Sequence, residues 1–296
     1  MSTPTELVPV KFGDYLELTK PRLSLLSVFT VLVAYVAARP APEALRTALL
    51  IVGTVLAAGG VAALNQWMEF DVDARMQRTS DRPIPAGKIP DGSAFVMGML
   101  MCIAALFLLF ATVNPLSALF TLLTIVSYLC WYTPAKRWSR WSTEIGALAG
   151  AFPPLIGWAA GEGRITGLGW ILFGMLFFWQ IPHFMAVAWI YRKDYSLVQF
   201  PMLPVRDESG VWVSRWSLAC TAALVAVSLL PVAYHLASRI YGGAAVVGGV
   251  FFLWRAGRFL RAEGRDLAAR KLFLASITYL PLLLIVLVID RLLFAS

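Results

Sequence analysis

Charge is scarce in this 296-residue chain: 14% of its residues are Asp, Glu, Lys or Arg, against 59% hydrophobic. No soluble domain of this size has use for so much apolar surface, so an ordinary water-soluble globule is excluded. Cysteine is scarcer still. Cys102, Cys130 and Cys220 all fall inside apolar runs with no paired spacing, which argues against a disulfide framework and reads them as small buried hydrophobes. The first 22 residues lack the basic-then-apolar start of a signal peptide. They also carry Glu6, Asp14 and Glu17, which an acid-poor transit sequence would not. Residues 1–22 are therefore expected to be a cytoplasmic tail, with the first spanning helix as the insertion signal. No low-complexity linker divides the remainder, so 23–296 is expected to be one polytopic domain.

What the chain does have is long apolar runs. Nine stretches read as membrane spans: 23–38, 47–68, 93–112, 115–133, 143–161, 167–190, 214–237, 240–256 and 271–290. They are too long and continuous for barrel strands, and lipid leaves only helices or closed barrels. The expected fold class is an all-α membrane bundle of nine helices. Of the 25 Lys and Arg, 20 fall in the tail or in the loops after helices two, four, six and eight, and 5 on the other side. That asymmetry places the N-terminus and the even loops in the cytoplasm of a bacterial-type inner membrane. The net charge of +8 is then a topology signal and a phosphate attractant, not a nucleic-acid footprint. Glu43, Glu162 and Asp290 alone among the acids are clearly on the far side, so a site is sought at the cytoplasmic face. Gly146-x3-Gly150 and Gly157-x3-Gly161 flank Pro153-Pro154, which predicts close helix packing around a kink.

Three clusters at that face carry chemistry. Asn65, Glu69 and Asp73 are spaced by four, so they share one helix face with about 40° of drift per step. Acids at a membrane helix end are costly and usually face a polar cavity. Oxygen ligands followed by Arg78 and Arg82 suit a magnesium ion bridged to a phosphorylated substrate; surface salt bridges are the plainer reading. Asp71 points elsewhere on an ideal helix, about 160° from Asp73. Next come Tyr132-Thr133-Pro134-Ala135-Lys136-Arg137, whose basic pair reads either as headgroup anchors or as phosphate ligands. The third cluster runs Trp179-Gln180-Ile181-Pro182-His183-Phe184, then Tyr191 to Tyr195, then Phe200-Pro201-Met202-Leu203-Pro204. His183 and Asp194, eleven apart, return to about the same helix face after three turns. His183 alone reads equally as a core hydrogen-bonding residue. Trp67, Trp131, Tyr132, Trp141, Trp179, Tyr191 and Tyr195 form an interfacial belt most simply, or a π-lined shelter for a cation or a porphyrin. His235, near the opposite face, is given no role.

The pattern N-x3-[D/E]-x3-D followed by R-T and R-P resembles the first aspartate-rich motif of the UbiA superfamily of intramembrane prenyltransferases. The N-Q-x-x-E-x-x-x-D form, Y-T-P-x-K-R, G-A-x-P-P-x-x-G-W, W-Q-x-P-H-F and P-M-L-P are similar to the haem-farnesylating (haem O synthase) branch. The commoner family form has Asp where Gln66 and Glu69 stand here. The resemblance runs from about Lys20 to Pro204 and implies a UbiA-type bundle around a central cavity. It implies transfer of the farnesyl group of farnesyl diphosphate to a vinyl group of haem B, with addition of water, giving haem O and diphosphate. By the same resemblance Mg2+ is the cofactor, held by Asn65, Glu69, Asp73 and Asp194, which form the catalytic set. Arg78, Arg82, Lys136 and Arg137 would bind diphosphate, and His183, Tyr132, Trp179 and Tyr195 would line the haem or substrate pocket. The partners implied are the two substrates, the lipid bilayer and a haem A synthase downstream, with no nucleic acid. Two alternatives stand beside it. One is a UbiA-type prenyltransferase of an aromatic quinone precursor, disfavoured by W-Q-x-P-H-F and P-M-L-P. The other is a secondary transporter, which would place its acids near the bilayer midplane instead of at one face.

Overall fold

The computed structural model describes residues 11–294, so the first ten residues of the expected tail lie outside the described part. Among the described residues the chain is helical, with no strand. A short helix α1 (Phe12–Leu18) replaces the rest of the expected tail and buries Leu18 against Ala63, Ile84 and Ile89. Then follow α2 (Pro21–Ala38), α3 (Ala44–Asp73), α4 (Asp91–Thr112), α5 (Pro115–Val126), α6 (Thr133–Trp138), α7 (Ser142–Ala151) and α8 (Pro153–Glu162). After these come α9 (Gly167–Ile190), α10 (Arg192–Leu197), α11 (Leu203–Arg206), α12 (Val211–Ala233), α13 (Arg239–Phe259) and α14 (Arg265–Phe294).

Seven of these are long and apolar enough to cross a bilayer: α3, α4, the rod from Pro115 to Trp138, α9, α12, α13 and α14. The other two expected spans take different forms. α2 has 18 residues and its apolar part is Ser24–Ala38. The expected span 143–161 is two ten-residue helices, α7 and α8, that meet at Phe152. Pro153 supplies no N–H, so the helical ladder stops there and restarts with Leu155 N–H donating to the Phe152 carbonyl. The rod starts with Asn114 Oδ1 accepting from Ser117 N–H at 2.7 Å and with Pro115 in the first turn. Inside it, Ser127–Tyr132 winds as a π-helix, the wide turn that often marks functional sites.

α9 runs through the main core, where Leu172, Met175 and Trp179 meet Leu224, Phe252 and Leu283 of α12, α13 and α14. α8 lies directly on α2: a Cβ on Gly157 would stand 1.9 Å from the Val31 carbonyl oxygen. Phe107 and Val247 are 74% and 72% exposed, as a lipid-facing surface allows. Of the cysteines, Cys102 and Cys220 are buried, but Cys130 is exposed on the π-helical stretch. At the charged end, the segments after α3 and α10 (Met76, Val198, Phe200 and Met202) pack with Val72 of α3 and Ala188 of α9. α3, at ~45 Å for 30 residues, is longer than a ~30 Å hydrocarbon core and carries its last turns up to this cap.

Candidate active site

A cavity of about 960 Å³ opens beneath that cap between α2, α3, α6, α7, α9 and α14. Ten of the twelve residues singled out above line it: Asn65, Glu69, Asp73, Arg78, Arg82, Tyr132, Lys136, Trp179, His183 and Tyr195. The two acids sit on one wall because α3 stays helical to Asp73, beyond the expected end at 68. Asn65 and Asp73 are 2% and 1% exposed, so their polar groups need partners. Asn65 Nδ2 donates to Glu69 Oε2 at 3.0 Å and to Thr133 Oγ1 at 3.1 Å. Lys136 Nζ is 2.8 Å from Glu69 Oε1 and 2.9 Å from Oε2. Hydrogen-bond geometry is met only at Oε2, which leaves Oε1 a buried oxygen without a directed donor. Asp73 Oδ2 accepts from Arg82 Nη1 at 2.5 Å, and Thr79 Oγ1 donates to the Asp73 carbonyl, folding the Arg-Thr segment back on the helix end. Gln66 donates to the Leu18 carbonyl and ties α1 to α3.

Aromatic faces hold the cations in place. The Arg78 guanidinium lies 5.5 Å from the Tyr191 ring centre and 5.9 Å from that of Tyr195, and Lys136 Nζ lies 4.5 Å over Tyr132. The proposed aromatic belt therefore divides. Tyr132, Trp179, Tyr191 and Tyr195 face the cavity, while Trp131 and Trp141 are exposed and Trp67 packs on Phe95.

Arg137 and Asp194 do not join the site. Arg137 turns outward and forks onto Asp71 at 2.6 and 3.0 Å, with a further bond to the Met68 carbonyl. It follows Asp71, which is on the opposite side of α3 from the ladder. Asp194 fails for a backbone reason. α9 ends at Ile190, and Tyr191 (φ −100, ψ 18) breaks the helix before α10, so the three-turn periodicity from His183 does not reach Asp194. Among the described residues no three His, Cys, Asp or Glu side chains converge.

Two cations were not singled out above. Lys20 Nζ donates to Asn65 Oδ1 at 3.2 Å, from a backbone in the left-handed region (φ 46, ψ 60) just before Pro21. Non-glycine residues visit that region at a cost, and such strain clusters at functional sites. Its ammonium pKa is pushed down to about 7, first by burial and then by the charges of Arg82 and Lys136. Arg270 lines the mouth on α14. In sequence, Lys20 is only one basic residue flanking a span, and Arg270 one of several. The cavity thus sets Lys20, Arg78, Arg82, Lys136 and Arg270 against Glu69 and Asp73, an excess suited to a polyanion. Below this rim the lining turns apolar, with Leu176, Trp179, Phe184, Phe273 and Leu280.

A model of the UbiA prenyltransferase family matches residues 27–277. The chain is 69% identical over 296 residues, covering all of both chains, to the protoheme IX farnesyltransferase of Opitutus terrae. It is 39% identical over 288 residues to that of Solibacter usitatus, covering 94% of this chain and 98% of the relative. Among solved structures, a digeranylgeranylglyceryl phosphate synthase superposes with a TM-score of 0.81 at 15% identity, covering 95% of this chain and 98% of that one. A UbiA homolog from Archaeoglobus fulgidus bound to GPP and Mg2+ does so with a TM-score of 0.66 at 15% identity, covering 93% and 99%.

Proposed function

The chain belongs to the UbiA prenyltransferase family, and from that premise we propose that it transfers the farnesyl group of farnesyl diphosphate to a vinyl group of haem B, yielding haem O. The observation that carries the reading is one cavity with an excess of cations at its charged rim and apolar walls beneath. The C1–O bond of farnesyl diphosphate breaks and its electron pair leaves with diphosphate. The vinyl π pair closes the new C–C bond to the allylic C1. Water then adds its oxygen to the porphyrin-side carbon and releases a proton.

Lys20, Arg78, Arg82 and Lys136 stabilise charge where it develops on the departing diphosphate. The apolar walls keep water from the allylic cation, and Tyr132 and Trp179 offer it π faces. Arg270 supplies a cation at the mouth for the carboxylates of a haem substrate. The donor set fits magnesium, which wants oxygen ligands and accepts one or two carboxylates with phosphate and water completing its shell. Glu69 Oε1, buried without a directed donor, would be the ligand position once Lys136 turns from it to the diphosphate, with Asp73 and Asn65 beside it; Asp194 lies outside the cavity lining. Bound there, Mg2+ would neutralise diphosphate charge in the ground state and on departure.

The charge asymmetry supports a cytoplasmic position for this rim in an inner membrane. Haem O would then pass to a haem A synthase. The test is incubation of purified protein with haem B, farnesyl diphosphate and Mg2+, with mass detection of haem O. Farnesylation of an aromatic acid but not of haem would reject the reading.

A further inference from the structure

His183 lies on α9 one turn after Trp179, and its ring stacks on that indole with centres 4.9 Å apart and planes 23° apart. Phe273 of α14 covers it at 5.1 Å. Ser276 of α14 then locks both rings: Trp179 Nε1–H donates to its carbonyl at 2.8 Å, and His183 Nδ1 lies 2.7 Å from its Oγ. The serine hydroxyl has one hydrogen, and Oγ is also 2.6 Å from the Phe273 carbonyl, which can only accept. The hydrogen therefore goes to Phe273, and His183 Nδ1 must be the donor to Ser276. That relay fixes the tautomer and leaves the lone pair on Nε2.

Nε2 has no hydrogen-bond partner among the described residues, and His183 lines the cavity. His183 thus has one nitrogen held by α14 and the other turned to the open cavity. A lone pair rejects a carboxylate or a phosphate and accepts a metal ion or a hydrogen-bond donor. The rings around it, Trp179, Phe184 and Phe273, suit a broad flat apolar ligand. A hydrogen-bond acceptor on the far nitrogen is the usual way to orient an imidazole toward a metal and raise its basicity.

We infer that His183 Nε2 is the axial ligand to the iron of the haem substrate and that Ser276 positions it. The inference rests on haem being the acceptor. His183 is eight residues before Tyr191, ~12 Å along α9 from the tyrosine pair that holds Arg78. Anchoring the iron there fixes which edge of the macrocycle faces the prenyl donor.

The test is a titration of the purified full-length protein with ferric haem B without farnesyl diphosphate, followed by absorption, electron paramagnetic resonance and resonance Raman spectra. The wild type is expected to show an imidazole axial-ligand signature. His183→Ala should lose that signature and bind haem about tenfold more weakly, whereas iron-free protoporphyrin IX should bind both proteins equally. Added imidazole should restore the signature to His183→Gly. Ser276→Ala keeps the ligand but removes its acceptor, so in the dithionite-reduced ferrous complex the iron–imidazole stretch should fall in frequency. A wild-type spectrum without an imidazole ligand, or one unchanged in His183→Ala, overturns the inference and leaves haem farnesylation standing. Wild-type protein that binds haem through His183 yet forms no haem O would reject the reaction and not the ligand.

Discussion

Lys136 Nζ lies 2.8 Å from Glu69 Oε1, joining α6 to α3 across the charged rim of the cavity, with both side chains largely buried (14% and 7% exposed). Removing one partner of a buried pair strands the other charge, which costs ~3–5 kcal/mol. Lys136→Ala is therefore expected to lower both stability in detergent and the affinity for farnesyl diphosphate. The double variant Lys136→Met/Glu69→Gln should regain most of the stability, because no charge is then stranded, yet stay inactive. A double variant as unstable as the single one would contradict the pairing; an unchanged KM in Lys136→Ala would contradict the phosphate role.

Arg137 follows Lys136 in sequence and should behave in the opposite way. Its partner Asp71 is on the outer side of α3, and both side chains are more than two-fifths exposed. Exposed pairs are worth ~0–1 kcal/mol. Arg137→Ala is expected to leave the KM for farnesyl diphosphate within about threefold of wild type, at the level such a weak pair allows. A larger rise would return Arg137 to the diphosphate site.

These two neighbours show what the sequence could and could not tell. The one-turn spacing of Asn65, Glu69 and Asp73 reports their shared face because α3 is an unbroken helix through all three. The Lys136–Arg137 pair gives no such signal, since adjacent residues on a helix diverge by about 100° and only one can face the cavity. Asp194 needed an unbroken α9, and the turn at Tyr191 was not readable from the residue string. Lys20 was legible only as a flanking charge, because its place beside Asn65 is made by the left-handed turn between α1 and α2. The break at Phe152 was the easier case, since Pro153 lacks the donor a continuous helix would require.

Asp73 gives the metal prediction. It is buried, held by Arg82, and faces the cavity next to Glu69. Treatment with EDTA should abolish haem O formation, and Mg2+ should restore it. Asp73→Asn should insert into the membrane normally yet fail to recover at any Mg2+ concentration, a loss of at least about a hundredfold for a group acting on leaving-group charge. Full activity of that variant in purified form would remove Asp73 from the site.

Gly157 tests the packing that sets the cavity wall. An added Cβ would meet the Val31 carbonyl at 1.9 Å, and a backbone atom cannot swing aside as a side chain can. Gly157→Ala should push α8 from α2 and cost ~1–3 kcal/mol, read as a lower melting temperature in detergent. Gly243→Ala, on the exposed side of α13 with nothing within 4 Å, is the control and should not lower it. Equal melting temperatures for the two variants would mean that α8 and α2 are not in such close contact.

Lys20 gives the pH prediction. Burial first, then Arg82 and Lys136, bring its pKa down to about 7, so it is an ammonium below that pH and largely neutral above it. A diphosphate beside it favours the ammonium, so above about pH 7 binding must take up a proton. By linkage the affinity then weakens as pH rises, by at most about tenfold per unit. The KM for farnesyl diphosphate should accordingly be lowest near pH 6 and climb toward pH 9. Lys20→Arg, whose charge does not titrate in this range, should lose the climb. Lys20→Met should also lose it, with a high KM throughout. Ionisation of the diphosphate is common to all three proteins and cancels in their ratios. Superimposable profiles for wild type and Lys20→Arg would show that another group takes up the proton.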